Sequence, residues 1–256
     1  MHRMKKIAPS LLLLLLLMAL AAPAFASGTA EPGLSADEAL KMLKDGNARF
    51  VDGKAGHPHQ DAARRALTAG QGQHPLAALL SCSDSRAPVE LIFDQGLGDL
   101  FVVRVAGNVA ATDEIGSMEY AVDHLGTPVV LVLGHSQCGA VTAVVEGGKL
   151  PGSIGPLVAP IKPAVTKAKA ENLGAAAEVL IAAAIKNNVF QAMEDILQKS
   201  PVIKAKVKAG KVKLVGAIYE LDTGKVQWLG ALPGQEKLLS GKAPAKAGKK
   251  SKKPPE

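Results

Sequence analysis

The sequence predicts an α/β protein with a central, mostly parallel β-sheet flanked by helices and an N-terminal amphipathic helical arm. Apolar runs at 76–81, 100–104 and 129–133 are continuous rather than alternating, the pattern of strands covered on both faces. Helix-like stretches at 89–93 and 115–124 separate these runs, as crossovers between parallel strands require. A long Ala-rich helical stretch at 175–197 precedes a fourth strand at 212–219.

Taken in order, the chain begins with His2, Arg3, Lys5 and Lys6, an almost wholly apolar stretch at 11–22, and Ala24-Phe25-Ala26 just before Ser27. A basic start, a short apolar run and a small-x-small site predict a cleavable signal peptide over 1–26, hence a periplasmic or secreted protein with no stable membrane anchor. Ser35-Ala36-Asp37-Glu38 is a capping-box signature. Leu40, Leu43, Ala48 and Phe50 or Val51 follow at roughly helical spacing, which gives the amphipathic arm. A polar loop containing His57-Pro58-His59 leads to the strands. At the far end, 226–229 is expected to pair with the fourth strand through Asp222-Thr223-Gly224. A single catalytic domain is expected over 27–236, followed by a disordered Lys/Pro/Ala-rich tail over 237–256.

The formal net charge of +7 suggests nucleic acid, but its distribution argues otherwise. Three Lys/Arg lie in the signal segment, and the tail holds seven Lys and one Glu. That leaves 20 basic and 22 acidic residues in 27–236, so no nucleic-acid partner is expected.

Both cysteines sit in short polar clusters at the ends of apolar runs: Ser81-Cys82-Ser83-Asp84-Ser85-Arg86 and Gly134-His135-Ser136-Gln137-Cys138-Gly139. Ligands gather at the carboxyl ends of strands in such sheets, so clusters 53 residues apart can meet at one edge. Two thiolates and an imidazole are donors that zinc prefers, and three protein ligands leave a fourth position open, the mark of a catalytic site. Other readings stay open on these residues alone. In an exported protein, a Cys82 to Cys138 disulfide is the default, worth about 3 to 4 kcal/mol by loop entropy. Cys138 at a helix N-terminus also suits a nucleophile, although no arginine follows closely to grip phosphate.

The blocks Cys82-Ser83-Asp84-Ser85-Arg86, Leu100-Phe101-Val102-Val103-Arg104-Val105-Ala106-Gly107-Asn108 and Gly134-His135-Ser136-Gln137-Cys138-Gly139-Ala140 resemble the signature blocks of the β-class carbonic anhydrases. The similarity runs over roughly 35–229. It implies Zn2+ held by Cys82, His135 and Cys138, with Asp84 and Arg86 as the dyad in which arginine keeps the aspartate off the metal. It implies carbon dioxide and bicarbonate as substrates. It also implies a homodimer or higher homo-oligomer, with the cleft at the subunit interface and the N-terminal helix across the partner. Members that switch off bind bicarbonate through a Trp, an Arg and a Tyr. Arg104 and Tyr219 match, while Leu79 stands at the Trp position and argues against switching.

Zinc lowers the pKa of its water to about 7, so hydroxide can attack carbon dioxide at neutral pH. Asp84 would accept that group's proton as a hydrogen bond if Arg86 keeps it ionised and aimed. The Gly139 N–H is the candidate substrate contact, and Tyr120, Glu119 and His124 are candidate proton relays. A non-catalytic protein on the same fold, with oxidised cysteines or a structural zinc, is the alternative of different class. Hydrolysis of carbon disulfide or carbonyl sulfide on the same metal is a third.

Overall fold

The structure, a computed structural model, describes residues 33–241. The expected signal segment and the tail beyond Gly241 lie outside the described residues. Five strands, β1 (Ala77–Ser81), β2 (Leu100–Arg104), β3 (Val129–His135), β4 (Lys213–Tyr219) and β5 (Val226–Gly230), form one sheet in the order β2-β1-β3-β4-β5. The first four are parallel and β5 is antiparallel to β4, the hairpin expected at Asp222-Thr223-Gly224.

The central strands β1 and β3 are buried along their whole length and β4 along all but its first residue, and their side chains divide residue by residue between two cores. Ala78 and Leu80 of β1, Val130 and Val132 of β3, and Leu214 and Ile218 of β4 point to one layer. Leu79, Leu131, Leu133, Val215 and Ala217 point to the other.

The second layer is thin. Helix α1 (Ala36–Val51) starts on the expected capping box, with the Glu38 N–H on Ser35 Oγ at 3.3 Å and the Ser35 N–H on Glu38 Oε2 at 2.9 Å. It buries Ala39, Leu43 and Asn47, one helical stripe. Helix α2 (Ala62–Gln71) occupies part of the stretch expected as a polar loop. It is capped by Asp61 and buries no residue. Helix α3 (Val89–Ile92) completes this side, with Phe93 packed 6.1 Å from Trp228.

The thicker layer holds α4 (Thr112–Asp123), α5 (Gly139–Glu146), α6 (Ile154–Val158), α7 (Lys162–Glu171), α8 (Ala177–Lys199) and α9 (Pro201–Lys208). Helix α8 is the long Ala-rich stretch. It lies so close to the sheet that a Cβ on Gly134 would stand 2.7 Å from Val189 Cγ2, and one on Gly216 2.8 Å from Met193 Sδ.

Several boundaries shift by one to three residues, and two of them matter here. Strand β3, expected to end at Leu133, runs on to His135, because its pairing with β4 continues to Tyr219. Helix α10 (Gln235–Ser240) crosses the expected end of the domain at 236, since Leu238 and Leu239 pack against the core.

Candidate metal centre

Parallel pairing of β1 with β3, in register at Ser81 and Leu133, brings the ends of both strands to one edge. Cys82 follows β1 directly and His135 closes β3. Cys138 arrives through a tight turn in which Gln137 takes left-handed backbone, φ 54, and it then caps α5. The turn is tied to β4 by the Ser136 N–H on the Tyr219 carbonyl at 2.9 Å.

The result is a cluster of Cys82, His135 and Cys138 whose ligating atoms all lie within 4.8 Å of one another. All three are buried, at 5 %, 1 % and 1 % exposure, and both cysteines are free. His135 Nδ1 lies 2.9 Å from the Ser136 carbonyl, to which it donates, so Nε2 is the nitrogen left for the site. Nε2 is buried and has no hydrogen-bond partner among the described residues. An orphaned imidazole nitrogen facing two thiols fits a metal ion with soft to borderline preference. The Cys138 thiol beside it favours the ionised form of Cys82, lowering that thiol from its ordinary value.

Asp84 stands at the rim, with Oδ2 3.8 Å from His135 Nε2. Arg86 grips it with two parallel bonds, Nε to Oδ1 at 3.0 Å and Nη2 to Oδ2 at 2.8 Å, and its own backbone N–H reaches Oδ1 at 2.9 Å. The Arg86 bonds hold the Asp84 carboxyl far below the usual carboxylate range. Arg104 braces the loop through its backbone, donating to the Cys82 carbonyl at 3.0 Å and the Asp84 carbonyl at 2.6 Å. Gly139, at the start of α5, is exposed, and a Cβ there would meet nothing within 4 Å. A cleft of about 560 Å³ between α5, α8 and the β4–β5 hairpin is lined by Gln137, Thr142, Ile181, Ile218 and Glu220 among others.

The structure does not bring the three candidate relays to this edge. Glu119 accepts from Ser200 Oγ at 2.6 Å, and Tyr120 stacks on His124 with ring centroids 5.0 Å apart. All three belong to the end of α4 that leads toward the start of β3, the opposite edge of the sheet. Leu79, at the Trp position of the switchable relatives, is fully buried in the middle of β1. Two contributors escaped the sequence reading: Gly107, whose N–H donates to Cys82 Sγ at 3.3 Å, and Arg104 as a brace rather than an anion contact. The Gly107-Asn108 dipeptide after β2 was the available signal, since such pairs mark left-handed turns.

The carbonic anhydrase family profile matches residues 77–226, which include the whole cluster. Carbonic anhydrase 2 of Mycobacterium tuberculosis (strain CDC 1551 / Oshkosh) is 39% identical over 198 residues, covering 76% of this chain and 93% of that protein. The carbonic anhydrase of Mycolicibacterium smegmatis is 39% identical over 193 residues, covering 74% and 91%. Among solved structures, one of two tetrameric β-carbonic anhydrases from the ascomycete Sordaria macrospora superposes with a TM-score of 0.61 at 26% identity, covering 73% of this chain and 94% of that one. Fold, cluster and relatives agree, and the chain belongs to the β-class carbonic anhydrases, enzymes of the carbonate dehydratase type.

Proposed function

We propose that the protein is a zinc enzyme that interconverts carbon dioxide and bicarbonate, with the metal held by Cys82, His135 and Cys138. The observation that supports this reading most is the buried, unpartnered His135 Nε2 facing two free thiols. When bound there, zinc supplies a nucleophile at neutral pH by lowering the pKa of its water to about 7.

The chain's own residues account for the rest. Asp84 is kept ionised by Arg86, so it offers only acceptor oxygens toward the fourth position and orients a donor placed there. The Arg86 fork restrains the same carboxylate from moving the 3.8 Å that separates it from the imidazole. Gly139 leaves open space and a helix-start N–H for a substrate oxygen.

The oligomeric reading, a homodimer or larger, is supported by the tetrameric relative. Export is supported by the basic start, apolar run and Ala24-Phe25-Ala26 site at the N-terminus.

Elemental analysis combined with stopped-flow carbon dioxide hydration on the purified protein tests the proposal. About one zinc per chain and activity lost on chelation and restored by zinc are expected. Full activity in metal-free protein, or a Cys82 to Cys138 disulfide in active protein, would overturn it.

A further inference from the structure

Asn188 lies midway along α8 and is 1 % exposed. Its Nδ2 donates to the Gly107 carbonyl at 2.7 Å, and the Gly107 N–H donates to Cys82 Sγ at 3.3 Å. The carbonyl and the N–H belong to the two peptide planes on either side of the Gly107 Cα. Fixing both therefore fixes the orientation of a residue that has more backbone freedom than any other. That hold has something to work against. Gly107 and Asn108 are both left-handed, at φ 77 and 45, and the second is an uncommon state for a residue with a Cβ. Packing confines the turn as well, since a Cβ on Gly107 would lie 2.6 Å from Ile161 Cδ1 and 3.2 Å from Ala140 Cβ. The Asn188 amide is the polar tether from α8, the helix laid against β3 and β4.

We propose that Asn188 is a positioning residue for the metal: by pinning Gly107 it keeps an N–H aimed at Cys82 Sγ, and so limits the charge that this thiolate donates. The proposal rests on the reading of Cys82 as a metal ligand. A hydrogen bond to a ligating sulfur withdraws electron density from it, and its loss makes the thiolate a stronger donor in a less fixed position.

Cobalt(II) in place of zinc reports this through its sulfur-to-metal charge-transfer absorption. Asn188→Leu removes the amide at similar volume, and Asn188→Ser keeps a donor on a shorter arm. The expected result for Asn188→Leu is a charge-transfer band at lower energy and cobalt bound roughly tenfold more weakly, the low end of what loss of an outer-shell partner costs. Asn188→Ser should change both in the same direction by less, and it carries the test alone if Asn188→Leu does not fold. Ile196→Val, a cavity-forming change about two turns further along α8, should lower thermal stability with the band unmoved. A band and a cobalt affinity in the folded Asn188 variants equal to those of Ile196→Val would overturn the proposal and leave Asn188 as a satisfied core amide. Absence of any thiolate charge-transfer band in the unsubstituted cobalt protein would instead overturn Cys82 as a ligand.

Discussion

The Asp84 carboxylate lies 3.8 Å from His135 Nε2 and is gripped by Arg86. If the proposed metal site is right, the two residues fail differently. Asp84→Asn keeps size but loses the charged acceptor, and Arg86→Ala frees Asp84 to move inward. Both should retain zinc and lose at least about tenfold in hydration rate, the scale of a positioning defect. Only Arg86→Ala should recover partly at raised pH, which stopped-flow rates across pH, with zinc measured on the same samples, will show. Away from the site, Asp94 carries a comparable structural charge. Burial opposes its ionisation, but the Gly56 N–H, Arg49 and the His57 N–H outweigh it, so the folded carboxyl sits below its ordinary value. Its stabilisation is therefore complete above about pH 4, the unfolded value, and is lost as pH falls through the lower folded one. Asp94→Asn should cost about 1 to 3 kcal/mol at pH 7 in urea unfolding, with the gap to the parent narrowing in acid. Side chains such as Cys82, Asp84 and His135 were legible in the sequence because soft donors and a spaced acid and base are rare residues in a recognisable pattern. Gly107 and Asn188 were not, because Gly107 acts through a backbone N–H and C=O that every neighbour also has, and the Asn188 amide meets its partner only through a contact 81 residues away in the chain.

The elements were legible in proportion to their burial. Strands β1 and β3, buried along their whole length, are runs that the sequence marks plainly, and the edge strand β2, half-buried, carries the same apolar mark. Helix α2 buries nothing and is set by its Asp61 cap and by Arg64, which donates to the Leu97 carbonyl at 2.8 Å and to Asp99 at 2.8 Å. The contacts to Leu97 and Asp99 depend on the fold, whereas the Asp61 cap is a local signal that the sequence reading passed over. The end of β3 was misplaced by two residues, Gly134 and His135. Their pairing with β4 is non-local, and the close approach of α8 over Gly134 is invisible in the sequence. Gly134→Ala should destabilise by about 1 to 3 kcal/mol, because its Cβ meets Val189 on a helix that cannot retreat without opening the core. Since Gly134 adjoins His135, thermal unfolding of that variant should also show a weaker stabilisation by added zinc than the parent.

At the scale of the whole chain, the domain ends later than its composition suggests. Truncation after Gly241 should leave hydration activity within about twofold and thermal stability unchanged, because the Lys, Pro and Ala of that segment supply few apolar side chains. Truncation after Glu236 also removes Leu238 and Leu239 from the core and should lower the melting temperature by about 2 °C or more in calorimetry. Equal stability of the two would mean that α10 contributes nothing. The overall logic is a parallel sheet that delivers two strand ends and one helix start to a single point, and the central claim is that this point is a zinc site made of two thiolates and one imidazole. Zinc K-edge X-ray absorption on the purified protein tests it most directly. The predicted spectrum has two sulfur scatterers at about 2.3 Å and light-atom scatterers at about 2.0 to 2.1 Å; a zinc shell of nitrogen and oxygen alone, or one with a single sulfur, would contradict the account.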